Sequence, residues 1–377
     1  MGAIEVMYVG LALFSVPCTL YVFDFLKRLC ETIRVNLNRK WIRNIVFAVS
    51  IGVGCLCVDI YGIGAVIIFY LLLPQLVMQI LNRMLKKLSF GGCTRFETIW
   101  KNVYGSGVIP LTVVCMCVIF GYFNMQQVKE TDYRISTEKQ IREEGYRIAL
   151  IADTHYGNFH SEEAIGQYCR ELSEKELDLV ILCGDIVDEK TSKAEMETII
   201  KCLSGITATY GVFFVYGNHD RQEYSAKKSF GEIELEKALE ENGITVLKDE
   251  VCEVNEDIVL VGREDYTHVK GRASVDSLLE GVDKEKYIIM LDHQPVQCEE
   301  NESSGTDMLL SGHTHGGQIW PLQYFLQFKY DGEKLWGHRK TSKGMDVIIT
   351  SGFAGWGVPI KTAAPSEYVI VELKPEG

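Results

Sequence analysis

Met308-Leu309-Leu310-Ser311-Gly312-His313-Thr314-His315-Gly316-Gly317-Gln318 begins as a short apolar run and stops abruptly on glycines and two imidazoles. The same construction occurs four more times earlier in the chain. Ile148-Ala149-Leu150-Ile151-Ala152 ends at Asp153-Thr154-His155, and Leu179-Val180-Ile181-Leu182-Cys183 ends at Gly184-Asp185. Val212-Phe213-Phe214-Val215-Tyr216 ends at Gly217-Asn218-His219-Asp220, and Tyr287-Ile288-Ile289-Met290-Leu291 at Asp292-His293. Near-continuous apolar runs of that length are strands buried on both faces of a layered α/β fold. The polar stretches 162–175 and 194–203 have the length of helical crossovers between the first three strands. Every polar cluster therefore falls at the C-terminal edge of a strand, where α/β sheets place their sites.

Before this domain the composition changes. The chain has 377 residues and a formal charge of -13, yet most of its Asp and Glu follow about residue 125, leaving the preceding part strongly apolar. That split predicts two units in different solvents. Four runs, 6–25, 44–60, 62–81 and 105–123, are long enough or nearly so to cross a hydrocarbon core as helices, forming an α-helical transmembrane bundle over 1–125. The second is the shortest. Its junction with the third, at Asp59, Tyr61 and Gly62, has to be a tight turn at the bilayer surface, unless the two runs form a re-entrant pair. No Lys or Arg precedes the first run, which reads as a retained helix and not a cleavable signal.

Basic residues set the orientation. Lys27, Arg28, Arg34, Arg39, Lys40 and Arg43 follow the first run, and Arg83, Lys86, Lys87, Arg95 and Lys101 follow the third, so both loops are expected in the cytoplasm. Four spans then place the C-terminal domain outside the cytoplasm, at a cell membrane crossed several times; with one span fewer it changes side. In an oxidising medium such a domain tends to pair its thiols, and the five here (Cys169, Cys183, Cys202, Cys252 and Cys298) leave at least one unpaired. Cys183 reads as a small core residue. In the membrane part, the alternate spacing of Cys55/Cys57 and Cys115/Cys117 favours helix packing over metal binding. Residues 126–145 read as a polar connector and 146–377 as the α/β domain. The acidic balance argues against nucleic acid as a partner, since phosphate backbones are held by clustered Lys and Arg.

At the strand ends stand carboxylates, an amide and imidazoles, with no thiolate, which is the donor set for a pair of divalent cations. Glycines at 184, 217, 312, 316 and 317 let the backbone turn close to a charged centre. Any one of these motifs alone is a surface turn or a helix cap. Together they take five of the eight histidines, and the complete ordered set is what points to chemistry.

Asp-x-His, Gly-Asp, Gly-Asn-His-Asp, a later His and Gly-His-x-His, in that order over about residues 146 to 375, resemble the calcineurin-like metallophosphoesterase superfamily. The following Gly-Gly-Gln resembles its YkuE-type branch, and the apolar front end is similar in layout to transmembrane proteins with a metallophosphoesterase domain. The resemblance implies a layered αββα sandwich. It also implies that Asp153, His155 and His315 bind one metal ion, that Asn218, His293 and His313 bind the other, and that Asp185 bridges them. His219 is implied to stay off the metals as general acid, oriented by Asp220, and the nucleophile is water activated between the ions as a bridging hydroxide. Manganese or iron suits the oxygen and nitrogen donors better than zinc.

The chain departs from the branch where it usually has an Arg between a Pro and a Pro-Glu. Here Pro359-Ile360-Lys361 precedes Ala364-Pro365-Ser366-Glu367, so Lys361 is expected either to bind substrate phosphate without a bidentate fork or to sit exposed in the last loop. The expected activity is hydrolysis of a phosphodiester or pyrophosphate. Its substrate is a small phosphorylated or lipid-linked compound, and its partner is the lipid bilayer. A phosphomonoesterase with the same centre and a non-catalytic membrane sensor or scaffold are the rival readings.

Overall fold

β3 (Leu179–Cys183) is buried at every position, and its side chains divide alternately between two cores, as the two-residue period of a strand requires. Val180 and Leu182 face one cluster, Leu179, Ile181 and Cys183 another. That division fixes the layers of the domain. The computed structural model describes residues 3–59, 62–87, 94–268, 271–328 and 334–376, and divides into two compact units at Tyr122/Phe123.

The second unit holds two six-stranded sheets. In spatial order the first is β1 (Val128–Thr137), β12 (Ser366–Pro375), β2 (Tyr146–Ile151), β3, β4 (Val212–Val215) and β5 (Ile244–Val246). The second is β10 (Gly337–Lys340), β11 (Asp346–Ile349), β9 (Met308–Ser311), β8 (Tyr287–Leu291), β7 (Ile258–Gly262) and β6 (Glu250–Glu253). Ile148, Ile181, Val215, Leu260, Ile289 and Leu310 from both sheets share the central core. On the far side of the first sheet, Val180, Leu182 and Phe214 pack with Ile165, Leu172, Ile199, Leu203, Leu235 and Leu239 of α6 (Glu162–Ser173), α7 (Lys193–Ser204) and α8 (Glu232–Glu241). On the far side of the second, Val261, Met290 and Val347 meet Val275 and Leu278 of α9 (Val275–Leu278). The result is the expected αββα sandwich. β2, β3 and β4 run parallel, so their C-terminal ends come to one edge.

α6 begins at Ser161, whose hydroxyl accepts from Ala164 N, and α7 begins with a capping box between Ser192 and Glu195. The two helices bring Cys169 Sγ to 3.2 Å from Cys202 Sγ, while Cys183 lies wholly in the central core.

One expected boundary is corrected. The polar connector over 126–145 contains β1, which pairs in parallel with β12 along its whole length. An edge strand keeps one face solvated, so Lys129, Glu130, Thr131, Asp132 and Arg134 alternate with few apolar positions, and its partner lies more than two hundred residues away.

In the first unit, α1 (Ala3–Thr32) is followed by α2 (Lys40–Gly54) with a 3-10 turn, Cys55–Val58, then α3 (Ile63–Lys87), α4 (Thr94–Ser106) and α5 (Val108–Gln126). Among the described residues, Lys40–Val58, Ile63–Lys87 and Val108–Gln126 are long and apolar enough to cross a membrane. The first expected span, 6–25, lies within α1, and its side chains before residue 11 fall outside the described residues. Ile60 and Tyr61 at the expected turn also fall outside them. Cys57 packs with Cys18, Val22, Phe25, Ile68 and Leu71, whereas Cys55 is exposed. α4 was not foreseen from the sequence.

Candidate metal centre

After each site-bearing strand the backbone turns sharply. Asp153, His155, Asp185, His313 and His315 all have positive φ, between 41° and 71°. Left-handed backbone at non-glycine residues costs roughly 1–3 kcal/mol each and persists where surrounding structure over-determines it. Here it aims five side chains inward from strand ends. A Cβ on Gly217 would collide with Asp185 Oδ1 and one on Gly312 with Asp153 Oδ2, so these two glycines are required by close approach to the carboxylates.

Two groups of donor atoms result, each with its atoms within 4.8 Å of one another: Asp153, His155 and His315, and Asp185, His293 and His313. Asp185 Oδ2 stands 3.1 Å from His293 Nε2 and 3.8 Å from His155 Nε2, so this one carboxylate faces both groups. The second ring nitrogen of two of these imidazoles is fixed by a backbone carbonyl: His293 Nδ1 lies 2.8 Å from Cys183 O, and His315 Nδ1 lies 3.2 Å from Ala354 O. That arrangement puts the proton on Nδ1 and turns Nε2 toward the centre, as metal-binding imidazoles require. His155 Nδ1 instead faces Asp188 Oδ2 at 3.5 Å.

The buried polar atoms fit cations. Both ring nitrogens of His155, His293 Nε2 and Asn218 Oδ1 are buried without a hydrogen-bond partner, an arrangement that costs free energy unless something binds there. Burial, together with the His293 charge, pushes the His313 imidazole down to about 3; burial and the neighbouring His155 and Lys361 hold His315 well below its usual range. Both therefore offer lone pairs. Burial also opposes charge on His293 and Asp185, but their mutual attraction prevails, holding His293 high and Asp185 low.

His219 is brought to the same edge and pairs through Nδ1 with Glu189 Oε2 at 2.8 Å. Its ring lies 5.1 Å from Tyr224 and 4.9 Å from Trp356, centroid to centroid. Burial pulls its pKa down, but Asp185, the Glu189 bond and Asp188 outweigh this and push it up to about 9.

Two expected roles are corrected. Asp220 does not orient His219; its carboxylate accepts from the backbone N–H groups of Asp185, Ile186, Val187 and Gly217, at 2.7 to 3.1 Å, and so ties the ends of β3 and β4 together. Glu189 holds the imidazole instead. In the sequence it looks like part of a solvated Asp188-Glu189-Lys190 charge run, and only the turn after β3 reveals its direction. Lys361 is neither exposed nor at a surface open to substrate. Its ammonium is fully buried, donates to the carbonyls of Ser351, Gly352 and Ala354, and is pushed down to about 7 by burial against the pull of Asp153 and Glu367. Gln318 was noted only as part of a motif. Its side-chain nitrogen donates to the carbonyls of Trp356, Val358 and Ile360, fastening this loop beside the centre.

Residues 146–317 match the family model for the calcineurin-like phosphoesterases, and the chain carries a calcineurin-like metallophosphoesterase domain. Among its relatives, an uncharacterized metallophosphoesterase of Helicobacter pylori is 31% identical over 66% of this chain and 64% of its own length. The chain thus matches somewhat under two thirds of that relative. A transmembrane protein with metallophosphoesterase domain from Danio rerio is 27% identical over 92% of this chain and 77% of its own length. YkuE of Bacillus subtilis, an uncharacterized metallophosphoesterase, is 26% identical over 61% of this chain and 80% of its own length.

Proposed function

We propose that this chain is a membrane-anchored phosphoesterase that uses two divalent cations to hydrolyse a phosphodiester or pyrophosphate bond. The observation that carries this reading is the single carboxylate of Asp185 facing both donor groups. Asp153, His155 and His315 would hold one ion, Asn218, His293 and His313 the other, with Asp185 shared. When bound, such a pair acidifies water and neutralises phosphoryl charge. The oxygen and nitrogen donors favour manganese or iron.

The chain's own residues supply the rest. With Nδ1 engaged by Glu189, His219 is left with Nε2 to donate a proton to the departing oxygen, and the Tyr224 and Trp356 rings limit its movement. Asp220 keeps the two strand ends in register, and buried Lys361 fixes the carbonyls behind Asp153. The substrate class is an extracytoplasmic or membrane-associated phosphate compound, lipid or envelope precursors included.

In a screen of the detergent-purified full chain across monoesters, diesters and nucleotide-linked pyrophosphates, hydrolysis should favour the last two. It should disappear on chelation and return with added metal. Chelator-resistant turnover of a protein free of metal would sink the two-cation reading, and a clear preference for monoesters would replace the diesterase assignment.

Anchoring is supported by the three apolar helices and by the Danio rerio relative's name. The placing of the domain outside the cytoplasm rests on the basic loops. A reporter fused after Gly377 should behave as extracytoplasmic; a cytoplasmic signal would mean that one expected span does not cross.

A further inference from the structure

After the last ligand motif, the chain runs from Ile319 to Phe328 without one charged side chain. Trp320, Leu322, Tyr324, Phe325, Leu326 and Phe328 are exposed on and around the short helix α10 (Gln323–Gln327), Phe325 at 69% and Phe328 at 79%. Elsewhere among the described residues after β1 begins, exposed large apolar side chains are scattered through the chain, as at Ile233 and Val251. Six of them within nine positions are a contiguous surface that water does not favour.

We propose that residues 320–328 dip into the lipid bilayer that this chain is anchored in. The inference rests on the membrane-anchored reading above and adds the surface by which the domain meets the membrane. The segment and the end of α5 are fastened to one loop. Trp320 N donates to Thr362 Oγ1 at 2.9 Å, and Gln318 O accepts from Thr362 N and Ala363 N. Asn124 Nδ2, in the last turn of α5, donates to Lys361 O and Ala364 O, each at 3.0 Å, and Met125 beside it is wholly buried. α5 is one of the helices able to span a membrane, and only Gln127 separates it from β1. The chain thus passes without a break from α5 into Asn124 and Met125, which are held within the second unit at residues 361–364, and the apolar segment is held by the same residues.

The composition fits an interfacial insertion. Trp and Tyr at 320 and 324 suit the headgroup boundary, Leu and Phe suit the acyl region, and the glutamines at 323 and 327 share one helical side. His315 precedes the segment by five residues, so the candidate centre is brought to the membrane surface, where phosphate esters of lipids lie.

The test is photolabelling of the full chain, reconstituted in phosphatidylcholine vesicles that contain a phospholipid with a carbene-generating acyl chain, followed by mass mapping of peptides. Adducts are expected on α1, α2, α3 and α5 and on residues 320–328. The double variant Phe325→Ser/Phe328→Ser should lose on the order of tenfold of the adducts on that segment while the helices keep theirs. Adducts on the helices with none on 320–328 would overturn the insertion and leave the anchoring intact. Helices free of adducts would overturn both. A full chain that sediments as a dimer disrupted by Phe325→Ser/Phe328→Ser, with no lipid adduct on 320–328, would assign the surface to self-association and overturn the proposal.

Discussion

Asp185→Ala empties both donor groups and stops hydrolysis. Three separate losses coincide at this position. The carboxylate faces both His293 and His155, so neither ion would keep its full set of donors. Its Oδ1 accepts from His219 N at 2.8 Å, so the turn that carries His219 loses an anchor. Its charge also helps to hold the His219 proton. Elemental analysis should show metal falling from about two ions per chain toward none, and turnover should drop by at least the ~10²- to 10³-fold that removal of one charge-stabilising group costs. Asp153→Ala, whose carboxylate belongs to one group, should retain part of the metal. An Asp185→Ala protein that keeps both ions and near-normal turnover would show that the carboxylate is no bridge.

His219→Gln should cripple hydrolysis of alkyl esters by roughly 10²- to 10⁴-fold, the usual contribution of a positioned general acid. On nitrophenyl esters the same variant should lose far less, because nitrophenolate departs as a stable anion. Metal content should not change. An equal loss across esters of graded leaving-group acidity would remove the proton-donor role, and loss of metal would make His219 a ligand.

Glu189→Gln tests the same pair from the other side. The folded protein raises the His219 pKa above its ordinary 6.5 to about 9, so the imidazolium persists at neutral pH and is lost only on the alkaline side. Cations on Asp185 would offset that carboxylate's share and leave Glu189 as the main group retaining the proton. Its replacement should therefore move the alkaline limb of kcat/KM to lower pH, with metal retained and a cost of roughly 10- to 100-fold, as for other groups that orient a site residue. An alkaline limb unchanged by Glu189→Gln would dissociate the two residues.

The sandwich and the grouping of Asp153, His155, Asp185, His293, His313 and His315 were legible because one pattern carries both. A strand buried on both faces is a continuous apolar run, and the residue that ends it is the one delivered to the sheet edge. Where the pattern weakens, so does the reading. β1 and β12 are joined across the length of the domain, and β1 as an edge strand is too polar to stand out. Asp220 was placed by adjacency to His219, but a carboxylate beside four converging N–H groups is drawn to them. Lys361 looked like a loop lysine, since a sequence does not reveal that Ser351, Gly352 and Ala354 turn their carbonyls toward it. Glu189 was hidden by its charged neighbours. Insertion of residues 320–328 could not be read from their composition alone, because an apolar decapeptide after a metal motif is equally a core segment until its exposure is known.

The pairing of β1 with β12 also has a consequence for how the protein is made. β1 follows directly behind α5, while the strand it pairs with among the described residues, over ten residues, is the last of the twelve in chain order. The same late strand joins β1 to β2 and supplies Glu367, whose carboxylate accepts from Ser351 N in the wall behind Asp153. Until it arrives, the first sheet stops at β2 and the site lacks part of its wall. The first sheet is thus closed by strands from opposite ends of the domain, and the wall behind Asp153 depends on their joining.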